Sequence, residues 1–281
     1  MYLRPAGLSE ALGALAAQPY TVLAGGTDYY PARVGKPLAD AVLDISAIAE
    51  LRGIREEPGA AAAHWRIGAI TTWSDLTAAE LPPLFDGLKL AAREIGGVQI
   101  QNAGTIAGNL CNASPAADGV PPLLALDARV EIADAHGASS VALADFILGN
   151  RKTLLRPDQL LTAILIPRHA PSARSCFAKL GARKYLIVSI VSVAATLEAD
   201  AGRVSAARVA VGSCSPVAQR LPLLEAALIG KRLDSTLGEN AKPQHLAALA
   251  PIADVRASRE YRLDAGLTLV RRVLDQLGAR A

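Results

Sequence analysis

The first segment that suggests chemistry is a glycine pair that directly follows an apolar, partly β-branched stretch. Residues 24–28 read Ala-Gly-Gly-Thr-Asp, and residues 20–24 have the composition of a short strand. Paired glycines can adopt positive φ, and the backbone N–H groups of such a turn can converge on an anion. The segment therefore predicts a phosphate site, with an ordinary strand-to-helix turn as the alternative.

A second segment is rich in small residues, amide side chains and hydroxyl groups. Residues 102–109 read Asn-Ala-Gly-Thr-Ile-Ala-Gly-Asn, and residues 112–118 read Asn-Ala-Ser-Pro-Ala-Ala-Asp. Backbone with so few bulky side chains can approach a large flat ligand closely. We expect a long functional loop here, because long loops are uncommon without a function, and a glycine- and asparagine-rich surface loop is the alternative. The side chains that offer hydrogen bonds are Thr105, Asn109, Ser114 and Asp118.

The cysteines and histidines do not have the spacing of a metal site. Cys111, Cys176 and Cys214 are too far apart in the sequence for a Cys-x-x-Cys pair, and we expect them to be buried, inert thiols. The four histidines also lack zinc-type spacing. The sequence predicts neither a metal site nor a catalytic residue, so redox chemistry in this chain requires an organic cofactor.

Composition and charge argue against several classes of function. The 281 residues are 51% hydrophobic and 20% charged, which is typical of a folded globular protein with two or three subdomains. The net charge of +3 is spread without a basic block, so nucleic acid is not an expected partner. The longest apolar run, 185–197, is too short to cross a bilayer core of ~30 Å. No secretory signal is visible, and we expect a cytoplasmic protein.

Apolar periodicity predicts the helices and strands that position these segments. We expect a small α/β unit at residues 1–55 and a second unit at 56–170. Strands are expected in them at 20–24, 41–45, 65–70 and 161–166, and helices begin near Ser9 and at Thr72 or Ser74. The third unit, 171–281, is predicted to contain an antiparallel sheet with alternating polar and apolar residues. Its strands and helices are expected at 176–180, 187–197, 206–211, 222–229 and 265–277.

In their order along the chain, these segments resemble the FAD-binding medium subunit of the molybdenum hydroxylase superfamily, which includes xanthine dehydrogenase and carbon monoxide dehydrogenase. The resemblance extends through nearly the whole chain, and the ordered set is far more specific than any single motif. Ala107 departs from the glycine that the family often has, and Thr27 stands where some relatives carry His or Asn. Besides the two glycine segments, the motifs are Tyr2–Pro5, Arg151–Leu155, Lys179–Lys184 and Ser258–Arg262.

The resemblance implies an α+β fold, with a two-subdomain FAD-binding module followed by an α+β C-terminal domain. It assigns residues 23–30 and the second glycine segment to the diphosphate and ribityl region of FAD, and other residues to the neighbourhood of the flavin. The implied FAD-binding residues are Leu23, Ala24, Gly25, Gly26, Thr27, Asp28, Tyr29, Ile95, Thr105, Ile106, Gly108, Asn109, Asp118, Leu161 and Lys179.

Two of these residues have alternative interpretations. The resemblance implies that Lys179 stabilises negative charge on the reduced flavin, because a nearby cation raises the electron affinity of the ring. Without the resemblance, an exposed lysine on a strand is expected. Asp118 is implied at the polar end of the cofactor, and it is equally suited to cap a helix predicted at 121–125.

The resemblance also implies a function in electron transfer. FAD would receive electrons from a small subunit with a 2Fe–2S cluster and pass them to an external small-molecule acceptor such as NAD, a quinone or oxygen. A molybdopterin-containing large subunit would complete the complex. The flavin subunit of 4-hydroxybenzoyl-CoA reductase is disfavoured, because three scattered cysteines cannot hold its additional iron–sulfur cluster. The alternatives are a self-contained FAD-dependent oxidoreductase and a non-catalytic assembly protein that has lost the flavin.

Overall fold

The computed structural model describes residues 1–35, 39–58, 63–183 and 187–279, so Lys184, which ends one of the motifs, lies outside the described residues. None of the helices in these ranges is long and apolar enough to cross a membrane. The strands are β1 (Tyr2–Leu3), β2 (Thr21–Leu23), β3 (Val42–Asp44), β4 (Ile54–Glu57), β5 (His64–Gly68), β6 (Arg129–Asp134), β7 (Gly137–Ala142), β8 (Ile147–Gly149), β9 (Lys152–Thr153), β10 (Leu160–Pro167), β11 (Arg174–Leu180), β12 (Val191–Asp200), β13 (Arg203–Gly212) and β14 (Gln219–Arg220). The helices are α1 (Leu8–Ala17), α2 (Trp73–Ala78), α3 (Asp86–Glu94), α4 (Val98–Ala103), α5 (Ile106–Asn112), α6 (Val120–Ala125), α7 (Leu143–Phe146), α8 (Pro222–Leu228) and α9 (Arg259–Gly278).

The chain forms two compact units, and each is assembled from separate stretches of sequence. The first contains Met1–Ala79, Val98–Asn112 and Ala128–Arg168. The second contains Glu80–Gly97, Ala113–Asp127 and His169–Ala281. The three-domain division at residues 55 and 170 stays a prediction.

The first unit begins with a small parallel sheet covered by one helix. Its strand order is β1-β3-β2, and Thr21 of β2 lies opposite Val42 of β3. In helix α1, Ala11 and Leu15 lie one helical turn apart, and both pack into a core with Leu43. The expected helix and the two expected strands of this region are therefore confirmed, and β2 ends directly before the first glycine segment.

The same unit contains an antiparallel sheet in the order β4-β5-β10-β6-β7. Helix α2 follows β5 and is capped by Thr72, whose hydroxyl accepts from the backbone N–H of Asp75 while the Asp75 carboxylate accepts from the backbone N–H of Thr72. This capping box satisfies two N–H groups of the first turn and explains why the helix begins directly after Thr72 and not at Ser74.

The second unit is built on an antiparallel sheet, β11-β12-β13-β14, with helices on both faces. Val193 and Ala195 of β12 join a core with Val270 of α9, while the intervening Ala194 packs with Ala91 of α3. The antiparallel sheet is confirmed, but the predicted alternation of polar and apolar residues is wrong for β12. Because helices cover both faces, this strand is buried at every position from 191 to 197.

Two starts in the second unit differ most from the sequence expectations. Strand β12 begins at Val191, later than the expected residue 187, and helix α9 begins at Arg259, before the expected residue 265. The hydroxyl of Ser258 accepts from the backbone N–H of Tyr261 at 3.2 Å and so caps α9. This early start brings Arg262 into the interior, where its side chain is 4% exposed.

A pH-dependent contribution to stability is expected from Glu131 on β6. Both carboxylate oxygens accept from the Arg66 guanidinium, at 2.7 and 2.8 Å, and this pairing lowers the pKa of Glu131. The stabilisation is therefore fully present above the pKa of glutamate in the unfolded chain, about 4.3, and is lost as pH falls through the lower folded pKa. Urea unfolding measured from about pH 6 to pH 3 should show a smaller loss of stability for Glu131→Gln than for the wild type.

The matched control is Glu80→Gln, an exposed carboxylate that makes no ion pair within the described residues. Its stability should follow pH as the wild type does. An unchanged pH dependence for Glu131→Gln would contradict the assignment.

Candidate functional site

The two glycine segments lie against each other in the first unit, although they are far apart in the sequence. A Cβ placed on Gly25 would lie 1.9 Å from the carbonyl oxygen of Ala103 and 3.0 Å from the Cα of Gly104. Real side chains do not approach backbone this closely. Only glycine at position 25 allows the two segments to pack backbone to backbone.

Positive φ is confined to one residue of the first pair. Gly26 has a φ of +71°, whereas Gly25 has no positive φ. A Cβ on Gly26 would also meet the ring of Tyr30 at 2.6 Å. Gly25 is required for close approach and Gly26 for backbone conformation, and these are separate physical reasons.

The turn that contains this pair leaves a run of backbone donors unused. The N–H of Tyr30 closes the turn on the carbonyl of Gly26 at 3.1 Å. Within the described ranges, none of the backbone N–H groups of residues 24–29 donates to another protein group. Residues 24–27 are half-buried. A run of unpaired N–H groups in a glycine turn is the property of an anion-binding nest.

Most of residues 98–112 are helical and only residues 113–119 form an irregular connection, so the expectation of a long loop from 102 to 118 is wrong. The second segment contains the end of α4, an extended residue at Thr105 that bridges to Thr72, and helix α5. The Thr105 hydroxyl accepts from the N–H of Gly108 at 2.9 Å, which is the pattern of a helix N-cap. Ile106 and Leu110 of α5 are buried, which adds apolar packing to the cap.

The other sequence-predicted residues of the first unit differ in burial and in their contacts. Leu23 is buried at the end of β2, and Leu161 is buried in β10. Asp28 is exposed, while Thr27 is half-buried.

The half-buried Tyr29 packs under a guanidinium, because the Cζ of Arg33 lies 3.8 Å from the centre of its ring. Asn109 follows Gly108 in α5, and its backbone N–H donates to the carbonyl of Thr105 at 3.1 Å.

In the second unit, Lys179 and Asp118 form a buried ion pair. The Nζ of Lys179 donates to Oδ2 of Asp118 at 2.8 Å, and the two side chains are 5% and 8% exposed. The interpretation of Lys179 as an exposed strand lysine is therefore wrong. Nζ also donates to the carbonyls of Glu94 at 3.0 Å and Ile187 at 3.4 Å, so three acceptors hold the ammonium group.

Asp118 is held by two side chains and does not cap the following helix. Helix α6 begins after Gly119 without a side-chain cap, so the capping interpretation is wrong. The hydroxyl of Ser189 donates to Oδ1 of Asp118 at 2.6 Å, while Oδ2 accepts from Lys179. Ser189 was not predicted as a site residue, because its only signal in the sequence is a hydroxyl within an apolar run. Ile95 follows α3 next to Glu94, in the same unit.

Comparison with known proteins connects these features to a family. Residues 1–169 match the family model described as the FAD binding domain in molybdopterin dehydrogenase. Residues 177–277 match the CO dehydrogenase flavoprotein C-terminal domain. The chain is 33% identical to the xanthine dehydrogenase FAD-binding subunit of Escherichia coli O157:H7, and the alignment covers all of this chain and 96% of that protein.

This chain belongs to the FAD-binding subunits of the molybdenum hydroxylase superfamily. It is also 29% identical to the carbon monoxide dehydrogenase medium chain of Hydrogenophaga pseudoflava, over 99% of this chain and 97% of that one. A chain of carbon monoxide dehydrogenase from Oligotropha carboxidovorans superposes with a TM-score of 0.88 at 29% identity, covering all of this chain and 98% of its own length. The resemblance inferred from the sequence motifs is confirmed, and so are the α+β fold class and FAD as the cofactor.

The residues of the flavin subunit fit an anionic dinucleotide. The diphosphate of FAD needs donors, and within the described residues the backbone N–H groups of residues 24–29 are not used by other protein groups. The packing of Gly25 on Ala103 places the first glycine turn against the end of α4. Two backbone segments of the first unit therefore meet at the turn where the free donors lie.

The cysteines of the flavin subunit do not share one environment. Cys176 and Cys214 are buried, and burial raises the pKa of the Cys214 thiol to about 11. Cys111 is exposed, so the expectation that it is buried is wrong. Within the residues that the structure describes, no group of three or more His, Cys, Asp or Glu side chains is arranged to hold a metal ion.

The backbone contact of Gly25 predicts the effect of one methyl group. Gly25→Ala must displace the carbonyl of Ala103, so we expect a loss of about 1–3 kcal/mol of stability together with loss of FAD. Flavin absorbance after purification and thermal unfolding measure the two effects. Gly13→Ala is the matched control, because a Cβ there meets no atom within 4 Å and helix α1 tolerates it. Full FAD content and normal stability in Gly25→Ala would show that the contact is unimportant.

Proposed function

We propose that this flavin subunit relays electrons from a partner iron–sulfur subunit to a small-molecule acceptor, within a complex that includes a molybdopterin-containing large subunit. The proposal is supported by relatives named as a medium chain of carbon monoxide dehydrogenase and as a FAD-binding subunit of xanthine dehydrogenase. The observation that carries it is the glycine turn at residues 24–29, whose unpaired N–H groups remain available for a diphosphate. FAD, when bound, supplies the electron-transfer chemistry, and the chain supplies binding and electrostatics.

The proposed FAD contacts come from several segments of the chain. Residues 23–29 hold the diphosphate and ribityl region, together with the segment from Thr105 to Asn109. Leu161 and Ile95 provide apolar contacts. The pair of Asp118 and Lys179 lies at the polar end of the flavin. Because Lys179 is paired and buried, its position is fixed before the cofactor binds.

The charge of Lys179 stabilises the reduced form of the cofactor in this proposal. A cation favours negative charge on a neighbouring ring, and burial strengthens the interaction because less water screens it. Asp118 acts in the opposite direction, because its negative charge offsets that of the lysine at 2.8 Å. The two residues therefore tune the electron affinity of the flavin with opposite signs.

Opposite shifts in flavin potential are expected when the pair is altered. In FAD-loaded protein, Lys179→Gln should lower the reduction potential and Asp118→Asn should raise it, each on the order of 30 mV, or about 1.4 kcal/mol for a two-electron couple. Glutamine retains a donor for Asp118, which limits structural damage. Redox titration followed by flavin absorbance measures the shifts. Arg272→Gln on the exposed side of α9 is the charge control. If both variants have the wild-type reduction potential, Lys179 and Asp118 do not lie beside the flavin.

Reconstitution distinguishes the relay from a self-contained enzyme and from an assembly protein without flavin. The FAD-loaded chain alone should transfer electrons slowly to an artificial dye but should not turn over a hydroxylase substrate. Adding the iron–sulfur and molybdopterin subunits should produce substrate oxidation coupled to acceptor reduction. Robust substrate turnover by the single chain would favour the self-contained oxidoreductase, whereas a folded chain that fails to bind FAD would favour the assembly protein.

A further inference from the structure

The segment at residues 187–190 contacts both members of the buried ion pair between Asp118 and Lys179. The carbonyl of Ile187 accepts from Nζ of Lys179 at 3.4 Å. Two residues later, the hydroxyl of Ser189 donates to Oδ1 of Asp118 at 2.6 Å, a distance typical of a hydrogen bond to a charged acceptor. One short stretch of chain therefore contacts the cation with its backbone and the anion with a side chain.

The hydrogen bond between Ser189 and Asp118 is shielded from water. Ser189 is 2% exposed, and the side chain of Asp118 is 8% exposed. In such an interior a hydrogen bond is electrostatically stronger than in water, and a carboxylate that loses a donor does not readily regain one from solvent. The hydroxyl group is therefore a fixed part of the electrostatic environment of the carboxylate.

The guanidinium of Arg262 fixes the two segments that carry this hydroxyl and this carboxylate. Its Nη1 donates to the carbonyl of Ile190, next to the serine, at 2.5 Å and to the carbonyl of Ser213 at 3.1 Å. The backbone N–H of Ser213 donates in turn to the carbonyl of Pro115, three residues before Asp118, at 3.1 Å. Backbone contacts therefore hold both segments independently of the hydrogen bond between the two side chains.

We propose that Ser189 is a positioning residue for the flavin site, whose hydroxyl orients the carboxylate of Asp118 and offsets part of its negative charge. Lys179 then retains more of its stabilising effect on the reduced flavin. This inference rests on the proposed function, in which the ion pair lies at the polar end of the flavin. It adds to the pair a residue that acts only through Asp118.

The direction of the effect follows from the orientation of the hydroxyl. An ionised carboxylate can only accept, so the hydrogen, which is the positive end of the O–H dipole, points at Oδ1 of Asp118. Without the hydroxyl, more of the negative charge of Asp118 acts on a neighbouring flavin and opposes its reduction. Ser189→Ala should therefore lower the reduction potential, as Lys179→Gln does and in the direction opposite to Asp118→Asn.

Redox titration of FAD-loaded protein tests the proposal. At a fixed applied potential, Ser189→Ala should decrease the ratio of reduced to oxidised flavin severalfold. Ser189→Thr keeps the hydroxyl and should restore the wild-type ratio, because the cavity of about 300 Å³ that Ser189 lines offers space for the added methyl group. Ser192→Ala is the matched control and should leave the ratio unchanged. Ser192 is also buried in the second unit, but its hydroxyl has no hydrogen-bond partner within the described residues.

A double-mutant cycle separates an effect through Asp118 from general damage to the fold. In the Asp118→Asn background, the side chain at position 118 has no negative charge for the hydroxyl to offset. Ser189→Ala should then change the flavin ratio much less than it does in the wild type. A purely structural role of Ser189 would give the same change in both backgrounds.

Three results would overturn the proposal and leave the proposed function intact, provided that Lys179→Gln and Asp118→Asn shift the potential as expected. They are a wild-type flavin ratio in Ser189→Ala, an equal effect of Ser189→Ala in the two backgrounds, and a shift that Ser189→Thr does not reverse. If Lys179→Gln and Asp118→Asn also leave the ratio unchanged, the ion pair does not lie beside the flavin. The proposal then fails together with the assignment on which it rests.

Discussion

The contact on which the first unit depends is that of the Gly25 backbone with the carbonyl of Ala103. Strand β2 delivers Gly25 to this point, and the bridge between Thr72 and Thr105 fixes the segment that it meets. Neither segment can move away without losing the hydrogen bonds that place it, and no side chain fits between them. The free N–H groups of residues 24–29 follow from this arrangement, because the turn is held by backbone packing and does not use its own donors.

In the second unit, the contact that joins separate segments is that of a buried charge, the ammonium group of Lys179. Burying a lysine is costly, and the cost is offset only where acceptors surround the ammonium group. Asp118, Glu94 and Ile187 provide these acceptors from three separate segments. Lys179 therefore ties α3, the turn before α6 and the segment before β12 to strand β11. A residue that the sequence alone presents as an ordinary strand lysine is a point of convergence in the folded chain.

Much of this architecture could be predicted from the sequence, and the failures have identifiable causes. Strands such as β2 and β10 are short apolar runs that end at glycine or proline, a local signal that packing does not override. The helical form of residues 98–112 was missed, because asparagine and glycine disfavour helices, whereas the cap at Thr105 and the burial of Ile106 stabilise this one. Ser189 could not be found because its partner, Asp118, comes near only after the chain folds.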